Sequence, residues 1–336
     1  MLVLLEHIQE WGDKILDRFG LNKEYINLDI FKKIVYIVPD LPRQATVEIT
    51  NICNLNCKMC PRHIFKRPER HMEFDVYKKI IDRLEGIEEI ALIGYGETML
   101  YPKLKEAIKY ARGKGFRVTT VSNGYFLTKK KIFDNVLFSG INLIRFSIDC
   151  VDGGEGFGHK SNEDVLHAIE KLRVARDREG LNFSIIINPV VAKWNYEKII
   201  PLIRWAERAG LDQVDLAHFN QIVGGKGGLS PDAEIKLYKK IKESNFKIKV
   251  TSLYDRYFGF RKIGFRFMTK CPMSYDVVYI RQDGGISPCN CAFPNVVYGN
   301  IFDEGIKNTW DNQKFKNFRK HQQKICRKCT LFKLYD

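Results

Sequence analysis

The chain has 336 residues, 45% of them hydrophobic, with 55 Lys and Arg against 40 Asp and Glu for a formal charge of +15. That apolar content supports one sizeable packed domain with a small appendage. Apolar runs such as ALIGYG, SIIINPVV and KIVYIVPDL are too short to span a bilayer, and the start MLVLLEHIQEWGD lacks a basic n-region, so a cytoplasmic protein without a membrane segment is expected.

Residues 1–42 read as two amphipathic helices, an N-terminal extension used for packing. From 43 to 252, short β-branched runs (ATVEIT, EEIALIG, FRVTTVS, NLIRFSID, NFSIIIN and DQVDLAH) alternate with amphipathic segments such as DVYKKIIDRLEG and EDVLHAIEKLRVARDREG. Gly115, Gly180 and Gly210 mark helix ends, and Ser161 with Asp164 forms a capping-box-like start. Repeated βα units with right-handed crossovers predict an α/β fold, a partial six-stranded parallel barrel. Residues 253–336 are expected to form a linker and a small second domain containing a hairpin, DVVYIRQDGGISPC, and a helix around Trp310. The loops GGEGFG and GGKGG lack phosphate-loop spacing and read as covers or connectors.

The basic charge is spread through residues 129–131, 239–249 and 314–328 rather than gathered in a tail. It suits an anionic partner and equally the Lys- and Ile-rich surface of a heat-adapted protein. In RYFGFRKIGFRF, arginines alternate with aromatics, as in platforms that stack nucleic-acid bases and equally as in a buried clamp between domains.

Nine cysteines, an odd number split between the two ends of the chain, argue for metal ligation in a reducing compartment over disulfides. Cys53, Cys57 and Cys60 form a CxxxCxxC loop directly after the first strand. Three thiolates can hold three irons of a cubane and leave the fourth iron open, which a four-cysteine structural site does not. Zinc with a distant fourth ligand, or part of a ferredoxin motif, fits this spacing poorly.

The triplet, together with Thr50, Asn51 and the CNL context at Cys53, resembles the signature loop of the radical S-adenosylmethionine (radical SAM) superfamily. The resemblance covers nearly the whole chain. It implies a 4Fe–4S cluster whose open iron binds S-adenosylmethionine, and reductive cleavage to a 5′-deoxyadenosyl radical that abstracts hydrogen from a substrate. Met59 stands where the signature usually has an aromatic residue. Tyr95, Gly96, Glu97 and Thr98 correspond to the superfamily's Gly-Gly-Glu-Pro motif, with Gly96 and Glu97 keeping its chemistry and Tyr95 and Thr98 departing from it. The resemblance implies cofactor contacts from Met59, Gly96, Glu97, Ser122, Asn123, Ser147, Asp149 and Asn188.

Period-two alternation puts Arg145, Ser147 and Asp149 on one face of the fourth strand. Arg145 and His218 are the catalytic candidates: His218 ends the sixth strand with Asn220, as Asn188 ends the fifth, at the functional face of a βα barrel, while Arg145 could equally belong to a structural hydrogen-bond network inside the barrel. The histidine could equally be a satisfied structural group.

Cys271, Gly284, Cys289 and Cys326-x-x-Cys329 resemble the twitch or SPASM extension found on some radical SAM enzymes. The full SPASM pattern continues with further cysteines, whereas this chain closes at Asp336, so one auxiliary 4Fe–4S cluster is expected. Cys271, Cys289, Cys326 and Cys329 would saturate it, leaving it to carry electrons. Zinc would also fit this ligand set, Cys291 is the surplus residue that could replace Cys289, and Cys150 reads as a packed side chain.

The leading expectation is dehydrogenation of a small organic molecule, with electrons supplied by a partner such as ferredoxin or flavodoxin. Peptide modification, a SPASM-type maturase activity, is the second reading; an extension ending near Pro42 is short for a separate peptide-recognition domain. Nucleic-acid binding is disfavoured, as is simple electron carriage, which needs neither an open iron nor a barrel.

Overall fold

A computed structural model describes residues 38–65, 67–152, 162–219, 227–252, 271, 273–290, 295–326 and 329. The N-terminal helices, the GGEGFG loop, Asn220, RYFGFRKIGFRF and Cys291 lie outside these residues, as does Ser161; the helix it was expected to cap begins at Glu163 behind Asn162.

Five parallel strands follow one another in chain order: β1 (Gln44–Val47), β2 (Glu89–Leu92), β3 (Arg117–Ser122), β4 (Leu143–Phe146) and β5 (Ser184–Ile187). The short β6 (Val190–Val191) and β8 (Lys249–Ser252) both lie parallel to β7 (Gln213–His218), which in turn pairs with β5. The crossovers carry α1 (Phe74–Ile81), α2 (Leu104–Gly113), α3 (Lys130–Leu137), α4 (Glu163–Arg178), α5 (Ile199–Arg208) and α6 (Pro231–Glu243). Gly115, Gly180 and Gly210 end their helices at positive φ (90°, 63° and 68°), a region that glycine enters without a Cβ clash. Ser230 caps α6 by accepting from Ala233 N.

The expected hairpin is present, and its first strand does more than pair locally. β9 (Val277–Ile280) runs parallel to β1, Gln44 opposite Val277, and antiparallel to β10 (Gly285–Ser287), which is followed by β11 (Gly299–Asn300). Gly284 turns the hairpin at φ 80°. The C-terminal segment therefore extends the barrel sheet instead of forming a separate layer. It opens with α7 (Met273–Asp276), directly before β9, and ends in α8 (Gly305–Trp310), α9 (Gln313–Lys320) and α10 (Gln322–Ile325).

Strand parity sorts the side chains. Ala45 and Val47, Ile90 and Leu92, Ile144 and Phe146, Ile185 and Ile187, and Val214 and Leu216 pack outward into one core with the helices. The alternate positions within the strands, among them Arg145 and Asp215, face the other way. Among the described residues no helix is long and apolar enough to cross a membrane.

Two candidate cysteine centres

The first cysteine loop is an excursion between β1 and α1, closed at its base. Thr50 bridges to His71, whose Nδ1 lies 2.9 Å from Thr50 Oγ1. Asn51 clasps the two sides, donating from Nδ2 to the Pro68 carbonyl (2.9 Å) and accepting at Oδ1 from Arg70 N (2.7 Å). Buried amides with both ends satisfied rigidify such loops. Within it Cys60 N donates to Cys57 O (3.0 Å), and Leu55 N approaches Cys53 Sγ at 3.5 Å.

The three thiols influence one another electrostatically. Burial, then the neighbouring Cys60 and Cys53, pushes the Cys57 thiol up to about 12, and burial raises Cys53 and Cys60 as well. Three partly buried thiols that resist ionisation without a counter-charge are a metal-ready set, since bound iron supplies that charge. Among the described residues no three His, Cys, Asp or Glu side chains converge tightly enough to hold a single ion. A cubane asks for no such convergence, because its thiolates bind separate irons.

Gly96 is pressed against this loop. A Cβ there would lie 2.6 Å from Ile52 O and 2.7 Å from Thr50 O, and the next residue, Glu97, donates its N–H to Ile52 O (2.8 Å). The Glu97 carboxylate is 3% exposed and accepts from Met99 N (2.9 Å), Ser122 Oγ (2.6 Å) and Asn123 N (2.8 Å). Burial raises its pKa and these three donors oppose the rise. Ser122 shares the outward parity of Val118 and Thr120, so its hydroxyl serves Glu97 from behind the sheet. Asn123 reaches the cysteine loop directly, donating from Nδ2 to Asn54 Oδ1 (2.9 Å). Met59 is half-buried within that loop.

Of the three residues expected to alternate, Arg145 lies on β4, with Nε facing Asp215 Oδ2 at 3.4 Å, whereas Ser147 and Asp149 follow the strand's end, where Ile148 N turns back to Phe146 O (3.0 Å). Asn188 donates to the Asp215 carbonyl (2.7 Å), and Gln213 and Thr251 bind the same carboxylate. Asp149, 6% exposed, accepts from Val190 N at 2.6 Å, and burial pushes its carboxyl up to about 7. It also lies close enough to raise the Cys57 thiol.

His218 is seated differently from the sequence expectation. It has the parity of Val214 and Leu216, so it points into the helix layer, where Nδ1 lies 3.3 Å from Glu234 Oε1 of α6. It is a structural pair beneath α6 rather than a lumen group.

Sequence reading missed a buried ion pair. Glu48, fully buried just past β1, binds Arg67 through two 2.7 Å contacts and accepts from Tyr95 N at 3.2 Å. The alternation of Thr46, Glu48 and Thr50 signalled a lumen carboxylate, but its partner comes from the loop and no local pattern reveals it. A cavity of about 320 Å³ opens here, lined by Asn51, Arg62, Phe65, Arg67 and Tyr95 among others. The larger hollow, about 850 Å³, lies outside the barrel between α3 and α4 and touches neither cysteine centre.

The second centre is built from three separate segments, carrying Cys271, Cys289 and the Cys326/Cys329 pair. Cys271, Cys289, Cys326 and Cys329 influence one another's ionisation, with burial pushing Cys271 and Cys326 up to about 12. Phe318 and Tyr298 pack around them. Gln322 Oε1 accepts from Cys271 N (3.1 Å), and Cys329 N donates to Cys326 O (2.7 Å). Cys150 stands apart, fully buried with its carbonyl bound by Asn162.

Compared with known families, residues 47–228, more than half of the chain, match the radical SAM superfamily. The chain belongs to that superfamily. Residues 271–330 match the SPASM iron–sulfur cluster-binding domain. This radical SAM enzyme thus carries the superfamily's 4Fe–4S cluster and an auxiliary iron–sulfur cluster in its SPASM domain. It is 24% identical over 314 residues to the tungsten-containing aldehyde ferredoxin oxidoreductase cofactor-modifying protein of Pyrococcus furiosus, covering 85% of this chain and 86% of that one. It is 26% identical over 319 residues to the AdoMet-dependent heme synthase of Methanosarcina barkeri, covering 86% and 88%. The fold of this radical SAM/SPASM chain is similar to that of Streptococcus suis SuiB bound to its precursor peptide SuiA, with a TM-score of 0.70 and 16% identity over 99% of this chain and 83% of that one.

Proposed function

We propose that this radical SAM/SPASM enzyme takes a hydrogen atom from a peptide, and that the resulting radical then gives up a proton to a base and an electron to the auxiliary cluster, a net two-electron oxidation. The observation that carries the reading is the parallel pairing of β1 with β9. It sets β1, which leads into the loop with Cys53, Cys57 and Cys60, beside β9, whose hairpin partner β10 leads to Cys289. Likeness of almost the whole chain to a structure holding a precursor peptide supports a peptide substrate over the small molecule first expected.

In this reading Cys53, Cys57 and Cys60 hold one cluster, and Cys271, Cys289, Cys326 and Cys329 hold the other. When bound, the first cluster with S-adenosylmethionine supplies the hydrogen-abstracting radical, and the second supplies an acceptor for the electron. The chain itself shapes the approach. Gly96 lets the motif backbone press on the cysteine loop, Glu97 fixes the end of β3, and Asn123 ties that end to Asn54. Arg145 is a donor with no acceptor capacity, so it orients substrate carbonyls or carboxylates rather than taking a proton. Its partner Asp215 has that capacity. A ferredoxin or flavodoxin supplies the initiating electron, and the net charge of +15 suits an acidic donor.

A second reading is favoured by the two relatives that align over most of this chain, one cofactor-modifying and one a heme synthase: the substrate would then be a cofactor precursor. Anaerobic enzyme with S-adenosylmethionine and reductant is incubated separately with the peptide and small-molecule fractions of deuterium-grown cells. Deuterium should enter 5′-deoxyadenosine from the peptide fraction, with a product lighter by two hydrogens. Transfer only from the small-molecule fraction selects the second reading, and a product at the substrate's oxidation level rejects oxidation altogether.

A further inference from the structure

Arg319, in the last turn of α9, is only 4% exposed, yet among the described residues no carboxylate forms an ion pair with it. Its Nε donates to Ser274 O and its Nη1 to Trp310 O, each at 3.0 Å, and the guanidinium lies 4.0 Å from the centroid of the Trp310 ring. Nη2 is buried without a hydrogen-bond partner among the described residues. The carboxylate that acts on it, Asp311, is well exposed and already paired with Lys316. Two carbonyls and a ring satisfy part of a guanidinium, but a buried cation ordinarily demands a buried anion.

The auxiliary centre is on the other side of the same contacts. Ser274, whose carbonyl holds Arg319, also donates its own N–H and Oγ to Cys271 O, at 3.3 and 3.0 Å. Phe318, the preceding residue, packs against Cys326 and Cys329. Tyr275 is influenced by Arg319 and by Cys271 together. Four thiolates outweigh the positive charge of a 4Fe–4S core, so a loaded centre is a buried anion.

We infer that Arg319 is the counter-cation of the auxiliary cluster and a positioning residue for its potential, stabilising the form that has gained one electron. The inference rests on the reading that the four C-terminal cysteines hold an iron–sulfur cluster. One electron added without a proton deepens the negative charge of the centre, and a fixed cation nearby favours that state. Arg319 thereby makes the centre a better acceptor, as oxidation of a substrate radical requires.

The test is a redox titration of the fully loaded enzyme followed by electron paramagnetic resonance, which separates the two clusters. In Arg319→Met the auxiliary midpoint should move to lower potential while the S-adenosylmethionine-binding cluster keeps its midpoint and the iron content is unchanged. An unshifted auxiliary midpoint at full iron overturns the inference, as does an equal shift of both clusters. If the Met variant does not fold, Arg319→Gln, which keeps an amide donor toward the Ser274 and Trp310 carbonyls without the charge, decides by the same titration: a lowered auxiliary midpoint supports the role, and a native midpoint at full iron overturns it. Absence of any second redox centre overturns the cluster reading itself, an outcome distinct from an unshifted midpoint.

Discussion

The phenol of Tyr95 donates a hydrogen bond to the carbonyl of Asn290. One end of that contact belongs to the motif resting on the first cysteine loop, and the other is the neighbour of Cys289. Where the superfamily motif has glycine, this chain has a side chain long enough to tie its two centres together. Tyr95 also packs edge-on against Tyr279 of β9, with centroids 6.5 Å apart. Replacing Tyr95 by Phe should preserve both clusters and the ring packing but release the Asn290 carbonyl. A single such bond contributes about 0.5–1.5 kcal/mol. Faster hydrogen exchange across the 285–290 segment, or faster chelator stripping of the auxiliary iron, would register the loss; unchanged rates in both would mean that the bond does not restrain the centre.

Iron content tests the two ligand sets. Reconstituted enzyme should bind about eight irons, and the triple alanine variant of Cys53, Cys57 and Cys60 about four. Alanine at both Cys326 and Cys329 should remove the other set. Cys150→Ala and Cys291→Ala should leave iron unchanged, so loss of one set with Cys291→Ala would reassign the fourth ligand from Cys289. Zinc in anaerobically purified protein would contradict the auxiliary assignment.

Gly96→Ala should be costly despite its small size. The added Cβ would meet backbone atoms of Thr50 and Ile52, including Ile52 N at 2.8 Å, and these cannot move without displacing the cysteine loop. Overpacking of this kind costs about 1–3 kcal/mol. The variant should melt earlier and hold less iron at the first centre, while the auxiliary centre loads normally.

Glu97→Gln exchanges one acceptor oxygen for an amide that cannot accept from Ser122, Met99 or Asn123 as the carboxylate does. The expected loss is about 1–3 kcal/mol of stability, together with weaker S-adenosylmethionine binding and both clusters retained. Isothermal titration with S-adenosylmethionine checks it; native affinity in the variant would confine Glu97 to a structural role.

Burial of Asp149 gives a pH dependence with a definite sign. Its folded-state pKa is raised to about 7, so the folded apoprotein holds this proton more tightly than the unfolded chain. The associated stability is complete below the ordinary carboxylate value of about 4 and is lost as pH rises through about 7, at most about 1.4 kcal/mol per pH unit. Denaturant unfolding of the apoprotein should show the native chain losing stability relative to Asp149→Asn between about pH 4 and 7. Parallel curves would show that the carboxylate is already ionised.

Much of the fold was legible because strands and helices write different periods into the sequence. The six main strands follow from their short β-branched runs, although β4 ends at Phe146, short of the Ser147 and Asp149 that the alternation includes. His218 was misplaced because its position at a strand end was weighed without its parity; Val214 and Leu216 already marked that face as apolar. The Glu48–Arg67 pair and the docking of β9 on β1 join residues distant in sequence, and such pairings leave no local period to read. The cysteine sets were recognisable by spacing, whereas Arg319 lay inside a run of basic residues that looked like solvated surface.

Because β9 completes one edge of β1, the chain emerging from the ribosome carries its first strand unfinished until more than two hundred further residues have been made. An unpaired parallel edge with Ala45 and Val47 on one face invites mispairing and aggregation. Closure waits for the most distant contact in the sheet, which is slow for a high-contact-order pairing. Until β9 is made, the half-finished sheet offers that edge to wrong partners, and only the completed chain can close it.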